Sequence, residues 1–149
     1  MRAVVQRAAR GQVSVAGQIV GQIERGLVVF VGVGQTDTEE SAAALAHKVT
    51  SLRIFEDEAE RMNRSVLDVG GAILAVSQFT LFGDVRRGRR PSFTAAMEPA
   101  RAKELFEHFC ASCEAQGVTT ETGTFRAHMS VELCNDGPVT ILIDTERAF

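Results

Sequence analysis

Two apolar runs constrain this chain more than anything else in it. Leu27-Val28-Val29-Phe30-Val31 follows Gly26, and Ala72-Ile73-Leu74-Ala75-Val76 follows Gly70-Gly71. A half-exposed strand alternates apolar and polar residues, whereas a short run with no polar member suits a strand buried on both faces. Each run therefore predicts a central strand that needs cover on two sides. The second leads straight into the polar peptide Ser77-Gln78-Phe79-Thr80.

The flanking segments supply candidate cover. Val13 and Val15 alternate with Ser14, Ala16-Gly17 can turn, and Ile19 to Ile23 can return as a second hairpin arm. A helix is expected after the first apolar run, capped at Thr36 or Asp37, with Glu39 or Glu40 completing a capping box. Its apolar face is Ala42, Leu45, Val49 and Leu52. Pro99 suits the first turn of a second helix with core face Ala102, Leu105, Phe106, Phe109 and Cys113, ended by Gly117. Strands are expected again over Thr124 to Met129, Val131 to Cys134 and Val139 to Ile143. Strands outnumber helices without regular βαβ alternation. The expected fold is α+β, a mostly antiparallel, barrel-like sheet with two packed helices. At 149 residues, with no linker, repeat or low-complexity tract, residues 1–149 read as one domain.

Composition narrows the function classes. The formal net charge of −3 argues against holding nucleic acid by bulk charge, so any such contact must be local. There is no Trp and no Tyr, which leaves Phe, His or Arg for stacking on bases. No stretch approaches the roughly 20 apolar residues of a membrane span. The first residues lack the long apolar core of a signal peptide, so a cytoplasmic protein is expected. An odd count of three cysteines, Cys110, Cys113 and Cys134, argues against a disulfide framework. Cys110-Ala111-Ser112-Cys113 has no second pair to complete a zinc site and lies deep in the second helix, where core packing is the better reading. His47, His108 and His128 are scattered, with no metal-ligand spacing, and neither H-E-x-x-H nor G-x-S-x-G occurs. No metal or cofactor is expected, and any hydrolytic chemistry must find its base elsewhere. Gly32-Val33-Gly34 lacks the third glycine of a dinucleotide loop, having Asp37 there, and reads as an ordinary turn.

Three polar features remain. Ser77, Gln78, Phe79 and Thr80 end a buried strand; they are a plain polar strand end, or they face a pocket with free N–H groups able to hold an oxyanion. Arg86-Arg87-Gly88-Arg89-Arg90 is the densest basic run, either a solvated loop or a phosphate contact, and its nearness to Thr80 favours the contact. Asn135-Asp136-Gly137-Pro138 is a turn between two strands, or a site where an X-Pro bond adopts cis for a purpose.

Together, Ser77-Gln78-Phe79-Thr80-Leu81 and Asn135-Asp136-Gly137-Pro138-Val139-Thr140 resemble the two signature motifs of the D-aminoacyl-tRNA deacylase family. Met1 to Arg7, Gly26 to Val33, Arg53-Ile54-Phe55, Met62-Asn63, Gly88 to Phe93 and Thr122 to Phe125 share the resemblance, which fades only from about Asp144. The chain departs at Ala59-Glu60-Arg61, where relatives tend to carry a glycine-containing turn. The resemblance implies a homodimer with two interface sites. Each would combine Ser77, Gln78, Phe79 and Thr80 of one chain with Gly137 and Pro138 of the other, joined by a cis bond. It implies hydrolysis of the ester between a D-amino acid, or glycine mischarged on alanine tRNA, and the terminal ribose, sparing L-aminoacyl-tRNA. It further implies that the ribose 2′-hydroxyl helps activate water. Arg86, Arg87, Arg89 and Arg90 would be available to the tRNA. Two alternatives stand beside it: an ester hydrolase with Thr80 as nucleophile, and a nucleic-acid-binding module without catalysis.

Overall fold

The computed structural model describes residues 1–149. Strand β1 (Arg2–Val15) organises the sheet, because it has neighbours along both edges. On one edge its first half pairs antiparallel with β3 (Gly26–Gly32), and its second half with β2 (Gln18–Ile23). Ala16 and Gly17 form the turn into β2, both at positive φ (49° and 79°), the handedness that matches strand twist in a two-residue hairpin. The other edge pairs antiparallel with β8 (Ser130–Asp144). The order continues from β3 through β6 (Ala72–Ser77) to β7 (Thr120–Thr122), and both of these ladders are parallel. The outer strands β2 and β7 meet where Gly21 presses on the Thr122 carbonyl, with no room for a Cβ. The sheet is thus a nearly closed, mixed barrel, with β8 outside the closure. A separate hairpin joins β4 (Phe55–Glu56) and β5 (Met62–Arg64).

The two apolar runs are β3 and β6, and their alternation explains the lack of polar residues. Leu27, Val29, Val31, Ile73 and Ala75 belong to a core shared with both helices. Val28, Leu74 and Val76 belong to a second cluster with Ala8, Val13 and Ile23. Each fully buried Val, Leu or Ile side chain contributes about 1.5–3 kcal/mol relative to exposure, so neither face tolerates a polar residue.

Helix α1 (Glu39–Ser51) packs against α2 (Pro99–Ala115). The N-cap of α1 is Thr38, with Ser41 closing the capping box, rather than Thr36 or Asp37 with a glutamate. Asp37 is instead buried. It accepts from the Gly34 N–H (2.6 Å) and pairs with the α-ammonium of Met1. Glu39 and Glu40 occupy the first turn, where their charge complements the helix dipole. In α2, Glu98 accepts from the N–H groups of Ala100 (2.9 Å) and Arg101 (2.6 Å), Pro99 begins the helix, and Gly117 follows its end at φ 91°. Its buried face is Ala102, Leu105, Phe106, Phe109 and Cys113. Burial, reinforced by neighbouring Glu114, pushes the Cys110 and Cys113 thiols up to about 12. They are packing groups, not reactive thiols. No helix is long and apolar enough to cross a membrane.

The last third departs from expectation twice. Thr124 to Met129 is not a strand; the strand lies earlier, at Thr120–Thr122, and Ala127 N–H closes a turn on the Thr124 carbonyl (3.2 Å). Half-buried Phe125, Ala127 and Met129 alternate there with exposed Arg126 and His128 without strand pairing, and all five residues line a cleft. The expected strands Val131 to Cys134 and Val139 to Ile143 are halves of one long β8. Asn135 to Pro138 is therefore a bulge within a strand, not a turn between two.

Candidate functional site

The end of β6 is positioned by its neighbours. Gln78 N–H donates to the Val31 carbonyl (2.8 Å), continuing the parallel ladder for one residue. The chain then winds into a single 3-10 turn, Phe79–Phe82. The glycines before α1 make room for that turn. A Cβ on Gly32 would stand 3.0 Å from both the Gln78 carbonyl and Leu81 Cβ, and one on Gly34 would stand 2.7 Å from the Phe82 ring. Arg2 fixes the far end: it donates to the Leu81 carbonyl (3.0 Å), pairs with Asp144 (3.0 Å) and lies over the Phe82 ring (4.4 Å). Gly32-Val33-Gly34 is thus a seat for Phe82, not a phosphate loop.

Within the turn, Leu81 N–H donates to the Gln78 carbonyl (3.3 Å), while the N–H groups of Phe79 and Thr80 have no partner inside it. The Thr80 hydroxyl is exposed and accepts a hydrogen bond from the Gln78 side-chain amide. An amide N–H is a donor, and no His, Asp or Glu bonds to this hydroxyl. Thr80 therefore lacks the adjacent base that an attacking hydroxyl needs.

Ser77, Gln78 and Phe79 line a cleft of about 560 Å³; Thr80 does not. The rest of the lining is largely apolar and comes from the end of β3, the start of α2, the segment Phe93 to Met97, and the connection Phe125 to Val131. The segment at Ala95 to Met97 is laced to the end of β3, Gln35 N–H to Ala95 (3.1 Å) and Met97 N–H to Val33 (3.0 Å). Phe79, 59% exposed, meets Phe93 edge-on with ring centroids 4.9 Å apart. Phe106 and Phe125 complete the aromatic lining, tilted at 6.2 Å. Phe93 and Phe125 stand in peptides that carry the family resemblance, but the sequence assigns them no role. Arg126 and His128 also line the cleft, and no motif points to either.

Gly137 and Pro138 are exposed and lie outside this cleft. Gln6 pairs with Thr140 and Ala8 with Asn135, so Asp136 to Val139 stand opposite the single residue Arg7. Arg7 is buried beneath them. Its guanidinium donates to the carbonyls of Asp136 (3.0 Å) and Ile54 (2.7 Å) and pairs with the Asp136 carboxylate (3.4 Å). Asn135 closes the bulge, accepting from Val139 N–H (2.8 Å) and donating to Thr140 Oγ1 (3.1 Å). The Gly137-Pro138 bond is cis, and Gly137 sits at φ 131°, where an L side chain is rarely found.

Arg86 to Arg90 form a loop closed by the Asp84–Ser92 bridge. Arg86 forks onto Asp84 (2.9 and 2.6 Å), and this bonding holds the Asp84 carboxyl down to about 2. Arg87, Arg89 and Arg90 are exposed and carry no ion pair. No group of three or more His, Cys, Asp or Glu side chains comes together.

The pattern of the family described as D-Tyr-tRNA(Tyr) deacylase matches residues 4–144. The chain belongs to this deacylase family. It is 63% identical, over all 149 residues and the whole of the relative, to the D-aminoacyl-tRNA deacylase of Koribacter versatilis (strain Ellin345). A solved structure described as c-Myc DNA Unwinding Element Binding Protein is 37% identical, with a TM-score of 0.93, covering 97% of this chain and 99% of its own. A structure described as a probable eukaryotic D-amino acid tRNA deacylase shares the fold, with a TM-score of 0.81 at 18% identity, over 95% of this chain and 97% of its own. In the segment Ala59-Glu60-Arg61, Glu60 has a left-handed backbone (φ 59°) and Asp57 accepts from the N–H groups of Ala59 (2.8 Å) and Arg61 (3.1 Å).

Proposed function

We propose that this protein is a D-aminoacyl-tRNA deacylase, a hydrolase of the ester joining a D-amino acid, or glycine mischarged on alanine tRNA, to the terminal ribose. The observation that carries the reading is the pair of N–H groups on Phe79 and Thr80, free within their turn beside an aromatic cleft, with no side-chain base bonded to the Thr80 hydroxyl. Such a site orients an already reactive acyl group and stabilises its oxyanion, which is the largest demand of ester cleavage. The ribose 2′-hydroxyl then assists the attacking water, supplying the function that Thr80 lacks. The cleft, within the size range of small-ligand sites, takes the terminal nucleoside on its Phe side chains.

In this reading the active unit is a cytoplasmic homodimer without a cofactor. Gly137 and Pro138 of each chain lie exposed on an outer strand, outside their own cleft, and complete the partner's. There they accept the substrate ammonium and leave no space for a side chain of L configuration, while glycine passes. The loop Arg86 to Arg90 meets tRNA phosphate through Arg87, Arg89 and Arg90, while the exposed Arg86 is engaged by Asp84.

Incubation with matched D- and L-aminoacyl-tRNA tests the reading. D-selective ester loss is expected. Equal cleavage of both isomers, or of free esters, would indicate a generic hydrolase. Binding without turnover would indicate a nucleic-acid-binding module, the role printed in the name of the 37% identical structure. Thr80→Ala should keep much of its activity, and a substrate lacking the 2′-hydroxyl should be cleaved poorly. Complete loss in a folded Thr80→Ala variant would restore Thr80 as nucleophile.

A further inference from the structure

The cleft is uncharged except along one wall. Its lining includes no carboxylate and no lysine, and its only ionisable side chains are Arg126 and His128. Glu98 lies between the lining residues Met97 and Pro99, but its carboxylate is directed into the cap of α2. Arg126 has no ion pair and its guanidinium donates no hydrogen bond within the chain. It stands in the turn Thr124–Ala127 with a left-handed backbone (φ 64°), a conformation that a non-glycine residue rarely adopts and that clusters at functional sites.

A free guanidinium at the rim of an otherwise neutral, apolar cleft favours an anion, and its planar fork matches phosphate oxygens. Under the deacylase reading, on which this inference rests, the group bound at the cleft is an aminoacyl nucleoside. Its base and ester are neutral and its amino group is cationic. The nearest anion is the phosphodiester on the 5′ carbon of the terminal ribose. We propose that Arg126 binds this last phosphodiester of the tRNA. The contact also sets direction: the guanidinium repels the substrate ammonium, so the amino acid points away from Arg126, toward Gln78 and Phe79. His128, on the same wall, adds a second nitrogen that can donate to the phosphate.

The test compares adenosine with adenosine 5′-monophosphate, titrated calorimetrically into the full chain, the wild type alongside Arg126→Ala and Arg126→Lys. The wild type should bind the monophosphate about tenfold more tightly than adenosine, the scale of one charge-assisted contact. Arg126→Ala should lose that preference while keeping the wild-type affinity for adenosine, and Arg126→Lys should restore part of it. Equal binding of the two ligands by the wild type, or binding of neither, would overturn the proposal. So would a preference that survives in Arg126→Ala, which would place the phosphate elsewhere, or an equal loss of both ligands, which would make Arg126 a structural residue. The same preparations assayed on D-aminoacyl-tRNA separate the two readings. Absence of turnover by the wild type would remove the deacylase assignment, whereas the nucleotide preference would still report on Arg126.

Discussion

Ser77 to Phe82 inherits its place from the core, whereas Asn135 to Val139 is fastened by hydrogen bonds near the surface. The first peptide continues a strand buried on both faces and rests in the space left by Gly32 and Gly34. The second stands clear of its strand, above one buried arginine, and closes on its own asparagine. The two depend on different forces. Position in the first is set by volume, so added atoms disturb it. Position in the second is set by polar partners, so removed atoms disturb it.

The largest effect is expected from Arg7→Ala. It leaves two carbonyls without their donor and opens the space beneath the bulge, costing about 3 kcal/mol by urea unfolding. Arg7→Lys should recover little, because a single ammonium cannot span the Ile54 and Asp136 carbonyls. A loss below about 1 kcal/mol would mean that the bulge stands without its arginine. Next is Gly32→Ala, the complementary insult, expected to cost about 2 kcal/mol through overpacking against Gln78 and Leu81 and to lower deacylase activity with it. Unchanged activity would show that the turn can shift without harm.

Asn135→Ala should cost about 1 kcal/mol, since it removes an acceptor from Val139 N–H while leaving Arg7 in place. The smallest effect belongs to a region of neither kind, the exposed basic loop. Asp84 ionises at about 2 because Arg86 bonds its charged form. A depressed carboxyl contributes stability that is complete above its ordinary value of 3.8 and is lost as pH falls through about 2. Arg86→Ala should raise the Asp84 midpoint toward 3.8, read by NMR, and remove that small, solvent-screened contribution from the unfolding transition at neutral pH. A midpoint that stays near 2 would mean that the backbone N–H of Arg86, which also bonds Asp84 (2.9 Å), suffices.

Legibility in the sequence followed the same division. The apolar runs, the faces of both helices, Pro99 and Gly117 were readable because burial imposes periodicity and helix ends impose residue types. The N-cap of α1 was displaced to Thr38 because Asp37 has a stronger obligation to Met1 and Gly34, a contact across the fold that no local pattern records. Thr124 to Met129 reads as a strand because half-buried Phe125, Ala127 and Met129 alternate with exposed Arg126 and His128, although the segment pairs with no strand. Ser77 to Thr80 and Gly137-Pro138 drew notice as a strand end and a proline turn, but local chemistry left their roles open and family likeness joined them. Arg7 looked like an ordinary first-strand residue, and Arg126 and His128 stood in no motif. Their importance arises from what the fold brings beside them.

The bulge has a consequence beyond any catalytic role. Along its outer side β8 has no strand neighbour in the chain, and an uninterrupted 15-residue edge would be a template for a stray chain to add to. The four residues from Asp136 to Val139 divide that edge into Ser130 to Asn135 and Thr140 to Asp144, and Pro138 offers no N–H. An intruding strand would match one short stretch and then lose register. The same irregularity that presents Gly137 and Pro138 also guards the molecule against growing into fibres.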